Sequence, residues 1–274
     1  MIEEKHMNLI EFFGTTVKPK ITKGKNMLNP IPTGKITEGV FCIRDKDVNV
    51  FLIKTKNYYI AIDSGYKNSE NLIKGLKELN IDRNDVKYLF LTHLDLDHAG
   101  GVDGRCNNIF SNAKIFLGKE EEKYLKSIYF RKKVLFFNLK TPIKIFKDYT
   151  CLEDGETVNL DENSIEAVLT PGHTLGHLTY ILNDKIIFSG DCLIMNSEGG
   201  YSMYDLWNID TAQNIRSLFK LKEIALQKKC EMLISSHTGF TADIERAFKH
   251  IDEAPDWKAK GFKFIENAVE NLYE

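Results

Sequence analysis

Four residues able to ligate a metal fall within six positions in the segment Thr92-His93-Leu94-Asp95-Leu96-Asp97-His98-Ala99-Gly100-Gly101. The nearly continuous apolar run Val86-Lys87-Tyr88-Leu89-Phe90-Leu91 precedes it and suits a strand covered on both faces. Such a strand would hold one end of the loop rigid while the loop turns imidazole and carboxylate donors toward a common point. Two other readings are a solvated acidic loop and a calcium loop built on Asp95 and Asp97. Histidines at both ends disfavour calcium, and the glycine and distal glutamate of an EF-hand are not at the required offsets.

Three further donors sit in similar places. Of the chain's 7 histidines, His173 lies in Thr170-Pro171-Gly172-His173-Thr174 and His237 in Ser236-His237-Thr238-Gly239, each at the end of a strand candidate. Asp191 follows Phe188-Ser189-Gly190, where glycine permits close backbone approach. A lone histidine or a Gly-Asp turn is more often structural, but this ordered set of strand-end donors is hard to obtain by chance.

His177 has two readings, support of the donors or proton transfer on one side, and a hydrogen-bonded strand start on the other. Tyr201 and Tyr204, after Gly199-Gly200, offer phenols on a loop that would have to reach over a substrate. Cys192 stands in the apolar context Cys192-Leu193-Ile194-Met195 and reads as a small buried residue rather than a ligand.

Elements able to position these groups are legible along the chain. Residues 1–35 form an irregular, Lys-rich extension. Gly39–Arg44, Val48–Lys54 and Tyr58–Asp63 read as an antiparallel meander, with Asp63 as a structural loop residue at its end. Asn68 or Ser69 can cap a helix carrying Leu72, Ile73, Leu76 and Leu79 on one face.

Lys119–Leu139 reads as a helical insertion outside the sheet core. It would serve as a lid, a homodimer surface or core packing, and aromatic residues at helical spacing favour packing. Its segment Tyr124–Phe137 is also a candidate lining for an apolar substrate pocket.

Strands return at Thr157–Leu160, Ser164–Leu169, Leu178–Leu182 and Lys185–Phe188, with Asn183-Asp184 shaped for a tight hairpin. A helix capped near Asp210, a strand at Met232–Ser235 and helices after Thr241 and around Pro255 complete the reading. The order suits one domain over residues 1–274, two sheets with helices on the outer faces.

Composition narrows the partners. Lys and Arg number 37 against 39 Asp and Glu, a formal charge of -2, so no global attraction to nucleic acid or membrane is built in. The acidic residues Glu3 and Glu4 stand where a secretory signal would be basic, no stretch approaches the roughly 20 apolar residues of a membrane span, and the 5 cysteines form no C-x-x-C pair. The expectation is a cytoplasmic protein with reduced thiols and a small-molecule substrate.

From Gly39 to Thr241 the sequence resembles the metallo-β-lactamase superfamily, whose signature is H-x-H-x-D-H, then a later His, an Asp and a final His. The resemblance implies an α/β fold, the αββα four-layer sandwich, with the site at one edge between the sheets. It implies two divalent ions: one on His93, Asp95 and His173, the other on Asp97, His98 and His237, with Asp191 bridging. It also implies a metal-dependent hydrolase in which hydroxide held between the ions cleaves a small ester, thioester or lactone, with Asp97 and Asp191 as catalytic residues and Asp97 passing a proton to the leaving group.

One position departs from the common pattern: Asp95 replaces the usual second histidine. A carboxylate adds negative charge and a harder donor, which shifts preference toward iron or manganese, with zinc still the first expectation. Within the same fold the rival readings are a phosphodiesterase for a small phosphodiester and an iron-dependent oxidoreductase. Outside enzymology the rival is a binding protein that keeps only the fold, which competent donor types at all seven positions disfavour.

Overall fold

The computed structural model describes residues 29–253 other than 135, 136 and 206. Two sheets face each other. The first has 7 strands in the order β1-β2-β3-β4-β5-β6-β9, with β1 Gly34–Thr37, β2 Val40–Asp45, β3 Val48–Lys54, β4 Tyr59–Ile62, β5 Val86–Phe90, β6 Lys114–Gly118 and β9 Tyr149–Leu152. The second has 6, in the order β10-β11-β12-β13-β16-β17, with β10 Thr157–Leu160, β11 Asn163–Leu169, β12 Leu178–Leu182, β13 Ile186–Phe188, β16 Met232–Ser235 and β17 Gly239–Thr241. Between β13 and β16 the chain forms a separate antiparallel pair, β14 Leu193–Met195 with β15 Gly200–Ser202.

The period-2 pattern of a strand explains the layering. Along β3, Val50 and Leu52 join one buried cluster with Leu72 and Leu76 of helix α1 (Glu70–Glu78), while Phe51 and Ile53 point the other way. There they meet Phe90 and Phe116 of their own sheet and Tyr180, Phe188 and Ile234 of the other. The far face of the second sheet packs Val168, Ile181 and Leu233 against Leu218, Leu221 and Ala225 of a long helix, Thr211–Lys228. Helix, sheet, sheet and helix stack in the αββα order expected.

Local chemistry matches the sequence at several ends. Ser69 caps α1 by accepting from the Leu72 N–H, and Asp210 caps the long helix by accepting from the Gln213 N–H. Asn183 and Asp184 both adopt left-handed φ, 53° and 57°, in the tight β12–β13 turn.

Two expectations change, and one lies outside the described residues. The Lys-rich extension already enters the first sheet before residue 35: Gly34 pairs with Cys42, and Asn49 exchanges hydrogen bonds with the Ile31 backbone at 2.7 and 2.8 Å. Residues 1–28 and the helix placed around Pro255 lie outside the described residues. Among the described residues of 119–139, helix is confined to Glu122–Leu125, because Ser127 turns left-handed at φ 58°. The rest becomes a hairpin of β7 Lys132–Val134 and β8 Phe137–Leu139, its β-branched and aromatic content prevailing over the helical spacing.

Tyr124 packs in the core as expected, while the side chains of Val134, Phe136 and Phe137, named as a pocket lining, lie outside the described residues. Among the described residues no helix is long and apolar enough to cross a membrane. All five cysteines are free thiols.

Candidate metal centre

The ligand segment leaves β5 and is anchored at once. Thr92 O accepts from Leu178 N at 2.9 Å, and the Tyr180 hydroxyl donates to Leu91 O at 2.8 Å, tying the segment to the opposite sheet. Asp63, just past β4, is fully buried with φ 62°, a conformation aspartate tolerates better than most residues. Its carboxylate accepts from Thr92 N at 2.8 Å, from Thr92 Oγ1 at 2.9 and 3.0 Å, and from His98 Nδ1 at 2.7 Å. The structural loop residue of the sequence reading is therefore the anchor of the ligand segment. A single helical turn, Leu96–Ala99, then carries Asp97 and His98 inward.

His173, Asp191 and His237 follow β11, β13 and β16, so all the ligand-bearing loops leave C-terminal strand ends at the edge shared by the two sheets. Three imidazoles have their Nδ1 committed to protein acceptors: His98 to Asp63, His93 to Thr92 Oγ1 at 3.0 Å, and His237 to Asp47 O. Each therefore turns Nε2, with its lone pair, toward the centre.

Two donor groups result, His93 with His173 and Asp191, and Asp97 with His98 and His237; within each, the donor atoms lie within 4.8 Å of one another. Asp191 serves both. Its Oδ1 is 3.2 Å from His98 Nε2 and 3.2 Å from His237 Nε2, while its Oδ2 is 3.5 Å from His173 Nε2 and 4.0 Å from His93 Nε2. Asp97 Oδ2 completes the second group at 3.4 Å from His237 Nε2. Donors bound to one divalent ion by bonds of about 2.0–2.2 Å lie roughly 3–3.5 Å apart, a range met by every one of these spacings except the 4.0 Å to His93 Nε2. His93 Nε2 is buried without a hydrogen-bond partner among the described residues, an expense that coordination would remove.

Charge points the same way. Burial opposes a charge on His98, yet Asp191, Asp63 and Asp97 together hold its imidazole well above the usual range. Burial likewise opposes ionisation of Asp191, but His237 and His98 hold its carboxyl well below the usual range. The carboxylates around His98 thus favour a positive charge at this end of the site, a proton or a metal ion.

Residues 43–237 match the metallo-β-lactamase superfamily. The chain belongs to that superfamily. The β-lactamase-like protein 2 homolog of Caenorhabditis elegans is 26% identical over 214 residues, covering 77% of this chain and 62% of that protein. The hydroxyacylglutathione hydrolase GloC of Haemophilus influenzae is 29% identical over 182 residues, 66% of this chain and 80% of that enzyme. The match thus spans less than two thirds of the nematode protein's length. Among solved structures, the metallo-β-lactamase SMB-1 superposes with a TM-score of 0.60 at 18% identity, covering 91% of this chain and 99% of that one. A metallo-β-lactamase family protein of Thermus thermophilus gives 0.59 at 20% identity, covering 78% of each chain.

Against this superfamily framework the accessory residues separate. His177 is fully buried; its Nε2 accepts from Asp191 N at 3.0 Å and its Nδ1 faces Thr170 Oγ1 at 2.9 Å. Burial, with His93 and His173 nearby, pushes its pKa well down, so it stays neutral and holds the backbone of Asp191. Tyr201 stacks on His250 at 4.9 Å, its hydroxyl 3.3 Å from Glu198, and Tyr204 packs with Ile194 and Met203, so the structure brings neither into the donor groups. Cys192 is buried with Sγ 3.0 Å from Ser189 O, the small core residue expected.

Asp95 departs from the expected role of a simple ligand. Its Oδ2 lies 3.2 Å from His173 Nε2 and 3.6 Å from His93 Nε2, yet both of its oxygens are engaged by Arg131, Nε to Oδ1 at 2.7 Å and Nη2 to Oδ2 at 2.8 Å. Burial opposes the carboxylate's charge, but the Arg131 guanidinium holds it well below the usual range. Nothing in the spacing of the motif pointed to Arg131, 36 residues away.

Glu121 was also missed. Its buried carboxylate accepts from Leu94 N at 2.9 Å and from Thr174 Oγ1 at 2.7 Å, clamping the His93 and His173 loops together. Glu121→Leu leaves two buried donors unmatched, and each costs ~1–3 kcal/mol. We expect urea unfolding to show a loss of ~2–6 kcal/mol, with Glu121→Gln losing less because one acceptor survives. Equal stability of wild type and Glu121→Leu would contradict the clamp.

Proposed function

We propose that this chain is a two-metal hydrolase of small carbonyl substrates, esters, thioesters or lactones. The observation that carries the two-metal reading is the division of Asp191, with one oxygen facing His98 and His237 and the other facing His93 and His173. In that arrangement His93, His173 and Asp95 would hold one ion, Asp97, His98 and His237 the other, and Asp191 both. Ions so placed lower the pKa of water toward 7 and polarise a substrate oxygen. Buried imidazoles with carboxylates suit zinc, and the carboxylate share admits iron or manganese.

The chain's own residues supply the rest. Asp97, 3% exposed and in the single helical turn Leu96–Ala99, receives the proton released by the attacking water on a carboxylate oxygen and returns it to the departing alkoxide or thiolate. His177 and Asp63 act one step removed, fixing Asp191 and His98 so that donors need not reorganise during the reaction.

Relatives named hydroxyacylglutathione hydrolases, GloC and the Buchnera aphidicola enzyme, support a thioester within this class. The formal charge of -2 gives a long polyanion no general attraction. The test is a panel of thioesters, lactones, aryl esters, cyclic phosphodiesters and RNA, assayed with protein purified without chelator. A carbonyl substrate should be turned over fastest, with thioesters leading. Phosphodiester or RNA cleavage as the best activity would reject the substrate class.

A further inference from the structure

The two halves of the centre are not built alike. In the half formed by Asp97, His98 and His237, both imidazoles have Nδ1 pinned by Asp63 and Asp47 O, leaving the two Nε2 atoms 3.3 Å apart and facing inward. In the other half His173 has no such pin. Its Nδ1 is buried without a hydrogen-bond partner among the described residues, and its Nε2 stands 3.2 Å from Asp95 Oδ2 and 3.2 Å from Arg131 Nη2.

An imidazole nitrogen has one proton or one lone pair. If His173 Nε2 carries the proton it donates to Asp95; if it carries the lone pair it faces Arg131 Nη2 at 3.2 Å, whose two hydrogens lie on Asp95 Oδ2 and Trp207 O. Either way the guanidinium stands within 3.2 Å of Nε2, beside the place an ion on His173 and Asp95 would take.

From this we infer that Arg131 is a built-in cation of the first half of the centre, competing with a divalent ion for Asp95 and His173, so that the two halves fill unequally. The inference rests on the two-metal reading. The guanidinium is committed to this place. Beyond the fork on Asp95, Nη1 donates to His173 O at 3.2 Å and Nη2 donates to Trp207 O at 2.9 Å. Those bonds leave little donor capacity for a substrate anion, which sets a structural role above a substrate-binding one.

The backbone fixes Arg131 as well. Its N–H donates to Leu139 O at 2.7 Å at the base of the β7–β8 hairpin, and just beyond that hairpin Thr141 Oγ1 donates to Leu94 O at 2.9 Å, inside the ligand segment. Asp95 therefore has a second function besides that of donor: it holds the cation in whose presence the first half is weak. An ion entering there must displace the guanidinium or share Asp95 with it, and like charges at such separation repel.

Titration of chelator-stripped full-length protein with Zn2+ in a calorimeter tests this without any substrate. Wild type should bind one ion tightly and a second at least about tenfold more weakly, the scale on which groups behind metal ligands act. His237→Ala should remove the tight event and His173→Ala the weak one.

Arg131→Met should tighten the weak event by about tenfold or more and leave the tight one in place; Arg131→Lys, which keeps a charge but lacks the fork, should shift it in the same direction. Circular dichroism melts establish which variant is folded, and the folded one decides. Two equal affinities in wild type, the reverse assignment by the histidine variants, or an unchanged weak event without Arg131 would overturn the inference and leave the two-metal reading standing. No Zn2+ binding by any of the proteins would instead reject the two-metal reading.

Discussion

Replacing Asp191 by alanine is expected to cut hydrolysis to below about one thousandth of wild type, because it removes the carboxylate whose two oxygens face both donor groups. Several kcal/mol of charge stabilisation are at stake, and about 4 kcal/mol corresponds to a thousandfold in rate. The fold should survive. Asp191 is 3% exposed, but it lies outside the apolar clusters, and its backbone N–H would still donate to His177. Far-UV circular dichroism close to wild type together with the lost turnover is the predicted pair of results. Activity within a few-fold of wild type would remove Asp191 from its bridging place.

The second large effect is expected at Asp63, which touches no ion in any reading and yet orients the donors. Asp63→Asn keeps the left-handed backbone, since asparagine adopts φ near 62° about as readily as aspartate, so strain is not introduced. It removes the charge and one acceptor oxygen from a group that meets Thr92 N, Thr92 Oγ1 and His98 Nδ1. An amide N–H facing His98 Nδ1 would favour the tautomer whose proton lies on Nε2, the atom aimed at the centre.

Metal affinity at the His98 half should fall by roughly 10–100-fold, the range for changes behind a ligating histidine. Zn2+ titration of Asp63→Asn beside wild type reads it directly. An unchanged tight event would show that the His98 ring is oriented by something other than Asp63.

These predictions separate what is local from what is not. The donor types, their spacing and their position after strands are properties of short stretches. His93 to His98 could be recognised because an apolar strand, a compact loop and a glycine pair succeed one another without interruption. The strands at Val48–Lys54, Leu178–Leu182 and Met232–Ser235 were legible for the same reason, since each is buried along nearly its whole length and its composition leaves little choice.

Segment 119–139 was harder. Helical spacing and β-rich composition coexist there, and the left-handed turn at Ser127 settles the competition in favour of a hairpin.

The sequence by itself determined the plan of two sheets with outer helices, the candidate donors and a nearly balanced charge. It could not determine which way the rings face or which donors are already spoken for. His98 is fixed by Asp63 across 35 positions and His237 by Asp47 O across 190, while Asp95 is held by Arg131 across 36. A donor's worth to a metal depends on the hydrogen bond made by its other atom, and that partner is supplied by whatever the packed sheets and the hairpin bring alongside. Only the tertiary structure therefore decides that three histidines turn Nε2 inward while Asp95 gives both oxygens to a guanidinium that stands 3.2 Å from His173 Nε2.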